Sequence, residues 1–87
     1  MSEERDDGSK FDVALYKFSP KTAADKVDMM KVVMALTGWG LKQAKDFVDD
    51  PPGFVLERVS SEKAAEAVLA LEKAGGEAGM QRVVELD

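Results

Sequence analysis

The stretch TGWGLKQAKDFV, residues 37–48, places the chain's single tryptophan between two glycines and follows it with apolar and lysine residues at helical spacing. Gly38 suits the left-handed position that closes a helix. Leu41, Ala44, Phe47 and Val48 then form one face of a second, short helix, which Pro51 and Pro52 stop. The stretch therefore reads as a tight turn between two helices. Upstream, TAADKVDMMKVVMAL (22–36) has helical period, with Met29, Val32, Val33 and Leu36 as a buried stripe and Val27, Met30 and Met34 as a second apolar stripe.

Outward from this helix pair the period changes. KFDVALYKF (10–18) alternates, with Phe11, Val13 and Leu15 on one face and Asp12, Ala14 and Tyr16 on the other, which predicts a strand ended by Ser-Pro-Lys (19–21). GFVLERV (53–59) reads as a second strand. Ser60 or Ser61 caps a third helix, EKAAEAVLALEKAGG, that buries Ala64, Val68 and Leu71, joined by Ala67 and Ala74, and ends at Gly75 and Gly76. MQRVVEL (80–86) reads as the last strand. The order β-α-α-β-α-β predicts an α/β two-layer sandwich, a three-stranded sheet covered by three helices on one face. Residues 1–9 read as a disordered acidic tail and residues 10–87 as one domain.

Composition narrows the chemistry. The 87 residues allow a single domain with a modest core. There is no cysteine and no histidine, which removes disulfides, thiolate metal sites, cysteine nucleophiles and histidine acid-base catalysis together. No acid pair or activated nucleophile is evident, so no catalytic residue, cofactor or enzymatic activity is expected. TGWG is not a phosphate-binding loop, because no G-x-x-x-x-G-K-[ST] occurs. No apolar run approaches the ~18–20 residues needed to cross a bilayer, and the polar start is not a signal peptide; a cytoplasmic protein without membrane contact is expected. The net charge is −5, yet residues 10–45 carry seven lysines against three aspartates while residues 46–87 carry ten acids against four bases. Overall acidity argues against direct nucleic-acid binding. The basic middle could meet an acidic protein surface or remain a solvated face.

FDVALYKF, KVDMMKVVMALTGWGLKQAKDFVDDPP and LEKAGGE, in this order, resemble the C-terminal domain of the bacterial large-subunit ribosomal stalk protein, the seven/twelve type. That family reads FDV at its first strand, then K-[VI]-x-[VI]-I-K-x-V-R-x-x-T-G-L-G-L-K-E-A-K-x-L-V, and L-E-x-A-G-A at its last helix. The resemblance covers about residues 10–79. It implies the same β-α-α-β-α-β sandwich. It also implies a non-enzymatic module that recruits translational GTPases, such as elongation factors G and Tu, through its first two helices. Carried over by position, the implied contact surface is Lys26, Val27, Asp28, Met30, Lys31, Met34, Gln43 and Lys45, with Trp39 and Lys42 added from this sequence's own pattern.

The departures from the family pattern lie on that surface. Met34 stands for an arginine, Gln43 for a glutamate, Asp28 for a small residue and Trp39 for a leucine. Methionine cannot offer a carboxylate the two parallel hydrogen bonds of a guanidinium. Nine residues precede the domain where the family carries a dimerisation domain and hinge, so a freestanding version, monomeric or weakly dimeric, is expected. Val27, Met30 and Met34 have two readings, packing against neighbouring helices or forming a docking face ringed by Lys26 and Lys31. Trp39 is either a lid folded over Leu41 and the first helix or a partly exposed aromatic anchor, and its bulk in so small a core favours partial exposure. Lys42 and Lys45 read as a solvated helix face, with Lys45 the better contact candidate. Asp46, Asp49 and Asp50 read as solvated charge rather than a weak cation site. A Clp protease adaptor is the alternative, since it shares the topology. It usually carries Asn-Asp-Asp after the first strand and a histidine on a later helix, where this chain has Ser-Pro-Lys and no histidine.

Overall fold

The computed structural model describes residues 8–84; the expected tail falls largely on residues 1–7, outside the described residues. The elements run β1 (Phe11–Phe18), α1 (Ala23–Thr37), α2 (Leu41–Val48), β2 (Gly53–Val59), α3 (Ser61–Lys73) and β3 (Gly76–Arg82), in the predicted β-α-α-β-α-β order. The sheet order is β2-β1-β3 and both pairings are antiparallel. β1 is the central strand, paired with β2 on one edge and β3 on the other. Val13 and Leu15 are fully buried beneath the helices, together with Met29 and Val33 of α1, Ala44 of α2, and Ala64, Ala67 and Leu71 of α3. Val48 and Val55 complete this core.

Each helix end has a local cause. Thr22 caps α1: its hydroxyl accepts from the Asp25 amide at 3.1 Å, and the Asp25 carboxylate accepts from the Lys21 amide at 3.1 Å. This is a capping box displaced by one residue on its return bond. Gly38 closes α1 at φ 80°, donating its N–H to the Met34 carbonyl. Ser60, not Ser61, caps α3, accepting from the Lys63 amide at 3.2 Å. Gly75, at φ 98°, ends α3, whereas Gly76 is already the first residue of β3.

Four expectations are corrected. The last strand spans Gly76–Arg82 rather than residues 80–86, because β1 pairs along its length, from Phe18↔Gly76 to Phe11↔Arg82. Val83 and Val84 follow the strand, and residues 85 and 86 lie outside the described residues. Leu41 is 61% exposed, not buried. It is the first residue of α2, beyond the end of α1, so no turn of α1 covers it. In α3 the fully buried set is Ala64, Ala67 and Leu71, while Val68 is only half-buried. In α1 the burial narrows to Met29 and Val33, with Val32 and Leu36 packed at the margin.

The β1–β2 ladder is irregular. Between the pairs Phe11↔Val59 and Val13↔Leu56, one residue of β1, Asp12, opposes two of β2, Glu57 and Arg58, so β2 bulges. Arg58 lies in that bulge at φ 58°, an uncommon conformation for a residue with a Cβ. The Asp12 carboxylate accepts from the Arg58 amide at 3.0 Å and holds the bulge in place. On the sheet face away from the helices, Tyr16 and Phe54 are about half exposed. Ala14 is nevertheless buried between Phe54 and Gly79, its partners on either side.

Candidate functional site: the α1–α2 face

The helix pair and the turn between its members carry the ten candidate contact residues. The turn that joins the helices is built by Thr37. Its hydroxyl donates to the Val33 carbonyl at 2.7 Å and accepts the Trp39 amide at 3.0 Å. One side chain therefore satisfies two backbone groups at a helix end, where intrahelical partners run out. This fixes Trp39 immediately before α2. The indole meets the Phe47 ring edge-on, centroids 5.4 Å apart and planes at 61°, a favoured aromatic geometry. Phe47 in turn lies against Gly53, where a Cβ would come within 2.8 Å of its ring. The aromatic chain Trp39–Phe47–Gly53 ties the interhelical turn to the start of β2. Trp39 is half-buried at the edge of the core, combining features of both readings given above.

On α1, Val27 is 44% exposed, and Lys31 is exposed with no ion-pair partner among the described residues. Met30 and Met34 are half-buried and pack on the core from one side. The second apolar stripe is therefore neither a buried face nor a free one. Its methionines sit on the rim, and Val27 projects furthest.

The lysines of α2 are exposed, as expected, and each is also paired. Lys42 pairs with Asp46 one turn on, at 3.3 Å, and Lys45 with Asp49, at 3.0 Å. Asp49 also takes Lys26 of α1 on its other carboxylate oxygen. One carboxylate thus binds a lysine from each helix. Hydrogen bonds from Lys26, then Lys45, hold the Asp49 carboxyl below the usual carboxylate range. The hydrogen bond to Asp49, and after it the carboxylate's charge, pushes the Lys45 ammonium up. Asp49 is also the C-terminal cap residue of α2, its N–H bonded to the Lys45 carbonyl. An acid there opposes the helix dipole, and the two lysines offset that opposition. Lysine and aspartate four apart signal the Lys45–Asp49 and Lys42–Asp46 pairs in sequence. No local signal reports the pairing of Lys26 with Asp49.

Among the described residues no three acidic side chains gather as a metal site. No described helix is long and apolar enough to cross a membrane. An open, polar depression of about 350 Å³ lies between the end of β1, the start of α1 and the end of α3, bordered by Lys21, Asp25, Asp28 and Lys73. Val27, Lys31 and Trp39 are not part of it.

Residues 11–81 match the sequence model of the ribosomal protein L7/L12 C-terminal domain. The chain is similar to large ribosomal subunit protein bL12 of Nitratidesulfovibrio vulgaris strain Miyazaki F, 48% identical over 69 residues, which is 79% of this chain and 51% of the relative. It is likewise similar to bL12 of Lawsonia intracellularis, 46% identical over 72 residues (83% and 53% of the two chains), and of Chlorobaculum tepidum, 44% identical over 69 residues (79% and 52%). The chain thus spans about half the length of the curated relatives it matches. With the predicted topology present and the match running from β1 into β3, the chain belongs to the ribosomal protein L7/L12 C-terminal domain family.

Proposed function

We propose that this domain is a non-enzymatic docking module of the ribosomal stalk type, acting in the cytoplasm, that binds a translational GTPase such as elongation factor G or Tu through α1 and α2. Family membership supports the stalk-type role, and the relatives' names say that they are ribosomal proteins. The observation that carries the choice of surface is the juxtaposition of exposed Val27 with unpaired Lys31, flanked by the half-buried Met30 and Met34. An apolar centre with a polar rim is the ordinary anatomy of a protein interface. Methionine side chains adapt to a partner's relief without a large rotamer cost. Trp39, Lys26, Lys42 and Lys45 border this centre, and protein contact alone suffices, with no cofactor, membrane or nucleic acid. The adaptor alternative shares the topology, but no feature of α1 or α2 favours it over the stalk-type reading.

The test is direct binding of purified elongation factor G, followed by calorimetry, to wild type and to the Val27→Asp and Lys31→Glu variants. Both positions are exposed, so the fold should tolerate either change. Each variant should bind at least about fivefold more weakly, the loss expected when an interface residue worth more than about 1 kcal/mol is removed. Wild-type affinity in both variants would place the contact elsewhere.

A further inference from the structure

The α1–α2 face carries four lysines, yet three of them are already engaged by two carboxylates of α2 and its C-terminal end. Lys26 and Lys45 share the carboxylate of Asp49, and Lys42 is paired with Asp46. Among the described residues Lys31 is the lysine of this face without such a pair. Asp49 is not a loosely placed surface acid. Its backbone is fixed at the end of α2 by the bond to the Lys45 carbonyl, and its two oxygens face lysines from two helices. A partner carboxylate approaching Lys26 or Lys45 therefore meets a carboxylate already in place. It must displace Asp49 or accept a like charge beside it. A surface that presents an apolar patch and a single acid opposite Lys31 meets no such obstacle.

Resting on the reading that this face docks a protein, we propose that Asp49 is a specificity-determining residue: its carboxylate masks Lys26 and Lys45 in the free protein, so the face selects an apolar partner surface bearing one carboxylate at Lys31 and rejects a densely acidic one. The selection works by internal competition, a repulsive element set against the wrong partner. It lowers the part of the association rate that comes from charge steering and makes binding depend little on salt.

The experiment compares wild type with Asp49→Asn and Asp50→Asn. Asparagine keeps the shape of the side chain and removes the charge. Asp50 lies next in sequence, is exposed and takes part in no ion pair among the described residues, so Asp50→Asn changes net charge equally without releasing a lysine. The probe is a hexaglutamate peptide, titrated at low and at physiological ionic strength, with circular dichroism to verify that each variant is folded. Asp49→Asn should bind the peptide at least about threefold more tightly than either wild type or Asp50→Asn at low ionic strength, since an exposed pair contributes little but two are released together. The gain should shrink at physiological salt. Equal behaviour of the two variants, including no binding by either, overturns the proposal. Elongation factor G binding is measured in the same series. A hexaglutamate difference with no factor binding by any protein leaves the masking role standing and removes the choice of partner. Factor binding with no hexaglutamate difference does the reverse.

Discussion

Gly76, the first residue of β3, lies tight against Leu15 of β1 and Met29 of α1, and replacing it by alanine tests that packing. An added Cβ would stand 2.6 Å from Leu15 Cδ1, 2.7 Å from Met29 Cε and 3.4 Å from the Leu71 carbonyl oxygen. Carbon atoms in good contact sit about 3.5–4.0 Å apart, so two contacts are short by roughly an ångström. Leu15, Met29 and Leu71 are all fully buried. The Met29 methyl can swing, but Leu15 lies on the central strand with neighbours on both sides. Overpacking of this kind costs about 1–3 kcal/mol. The smaller unfolded-state entropy of alanine returns about 0.4–1 kcal/mol, which leaves a net loss of about 1–2 kcal/mol. For a domain of this size that lowers the melting temperature by about 5–15 °C, read by circular dichroism. Gly40→Ala is the control, since nothing lies within 4 Å of its added Cβ; its effect should stay within about 1 kcal/mol. A Met29→Ala background supplies the decisive comparison. Removing the methionine makes room for the new methyl, so the two substitutions should couple by about 0.5 kcal/mol or more. Strictly additive effects, or a Gly76→Ala melting temperature equal to wild type, would refute the close approach between β3 and α1. The result bears on function because Met29 immediately precedes Met30 on α1, and displacing it would move the docking face.

Thr37→Val should destabilise the domain by about 1–2 kcal/mol in chemical denaturation, because the Trp39 amide and the Val33 carbonyl both lose the hydroxyl that holds the turn. Acrylamide should quench the Trp39 fluorescence to an intermediate degree, and Phe47→Leu should increase the quenching by removing the ring against which the indole rests; complete protection of the wild-type indole would contradict its half-buried placement. The acid limb of stability should contain a contribution from Asp49. Its carboxyl is more acidic in the folded state, so the unfolded chain binds more protons, and the contribution is present above the ordinary carboxylate pKa of about 4 and is lost as pH falls through the lower folded-state value. Denaturation followed from pH 6 down to pH 2 should therefore show a steeper loss in wild type than in Asp49→Asn, and equal slopes would refute the pairing. The Lys45 contribution has the opposite sense. It is complete below the ordinary lysine value and is lost as pH rises through the higher folded-state one.

Legibility in the sequence followed the range of the interaction that decided each feature. The turn at Gly38, the cap of α3 at Ser60 and the strand β1 are decided by residues within one or two turns, and each stands where local rules place it. β3 is decided by its partner. Gly76 and Gly79 weaken the strand pattern of GEAGMQR, but both occupy close approaches, Gly76 to Leu15 and Met29 and Gly79 to the Tyr16 ring. Residues that look like breakers along the chain are there because of what crosses them in space. The Val-Val pair at 83–84, which attracted the strand reading, lies beyond the end of β1's ladder.

The same distinction governs the candidate site. Helical periodicity places Val27, Met30 and Met34 on one stripe but does not say how far the neighbouring elements reach across it. Once α2 is in place, the answer differs by residue. Met30 and Met34 keep one side on the core, while Val27 stands out from it. A rim residue of this kind contributes to folding through one side and remains available to a partner through the other. Burial in the free domain is consequently no argument against a role in binding. Charge behaves in the opposite manner: four lysines counted along the sequence suggest a strongly basic face, and pairing reduces that face to one unpaired lysine. The contact that accomplishes most of this, Lys26 to Asp49, joins residues that become neighbours only because the Thr37–Gly38 turn folds α2 back along α1. The residue composition of the face thus gives the chemistry available to a partner, and the turn determines how much of it is presented.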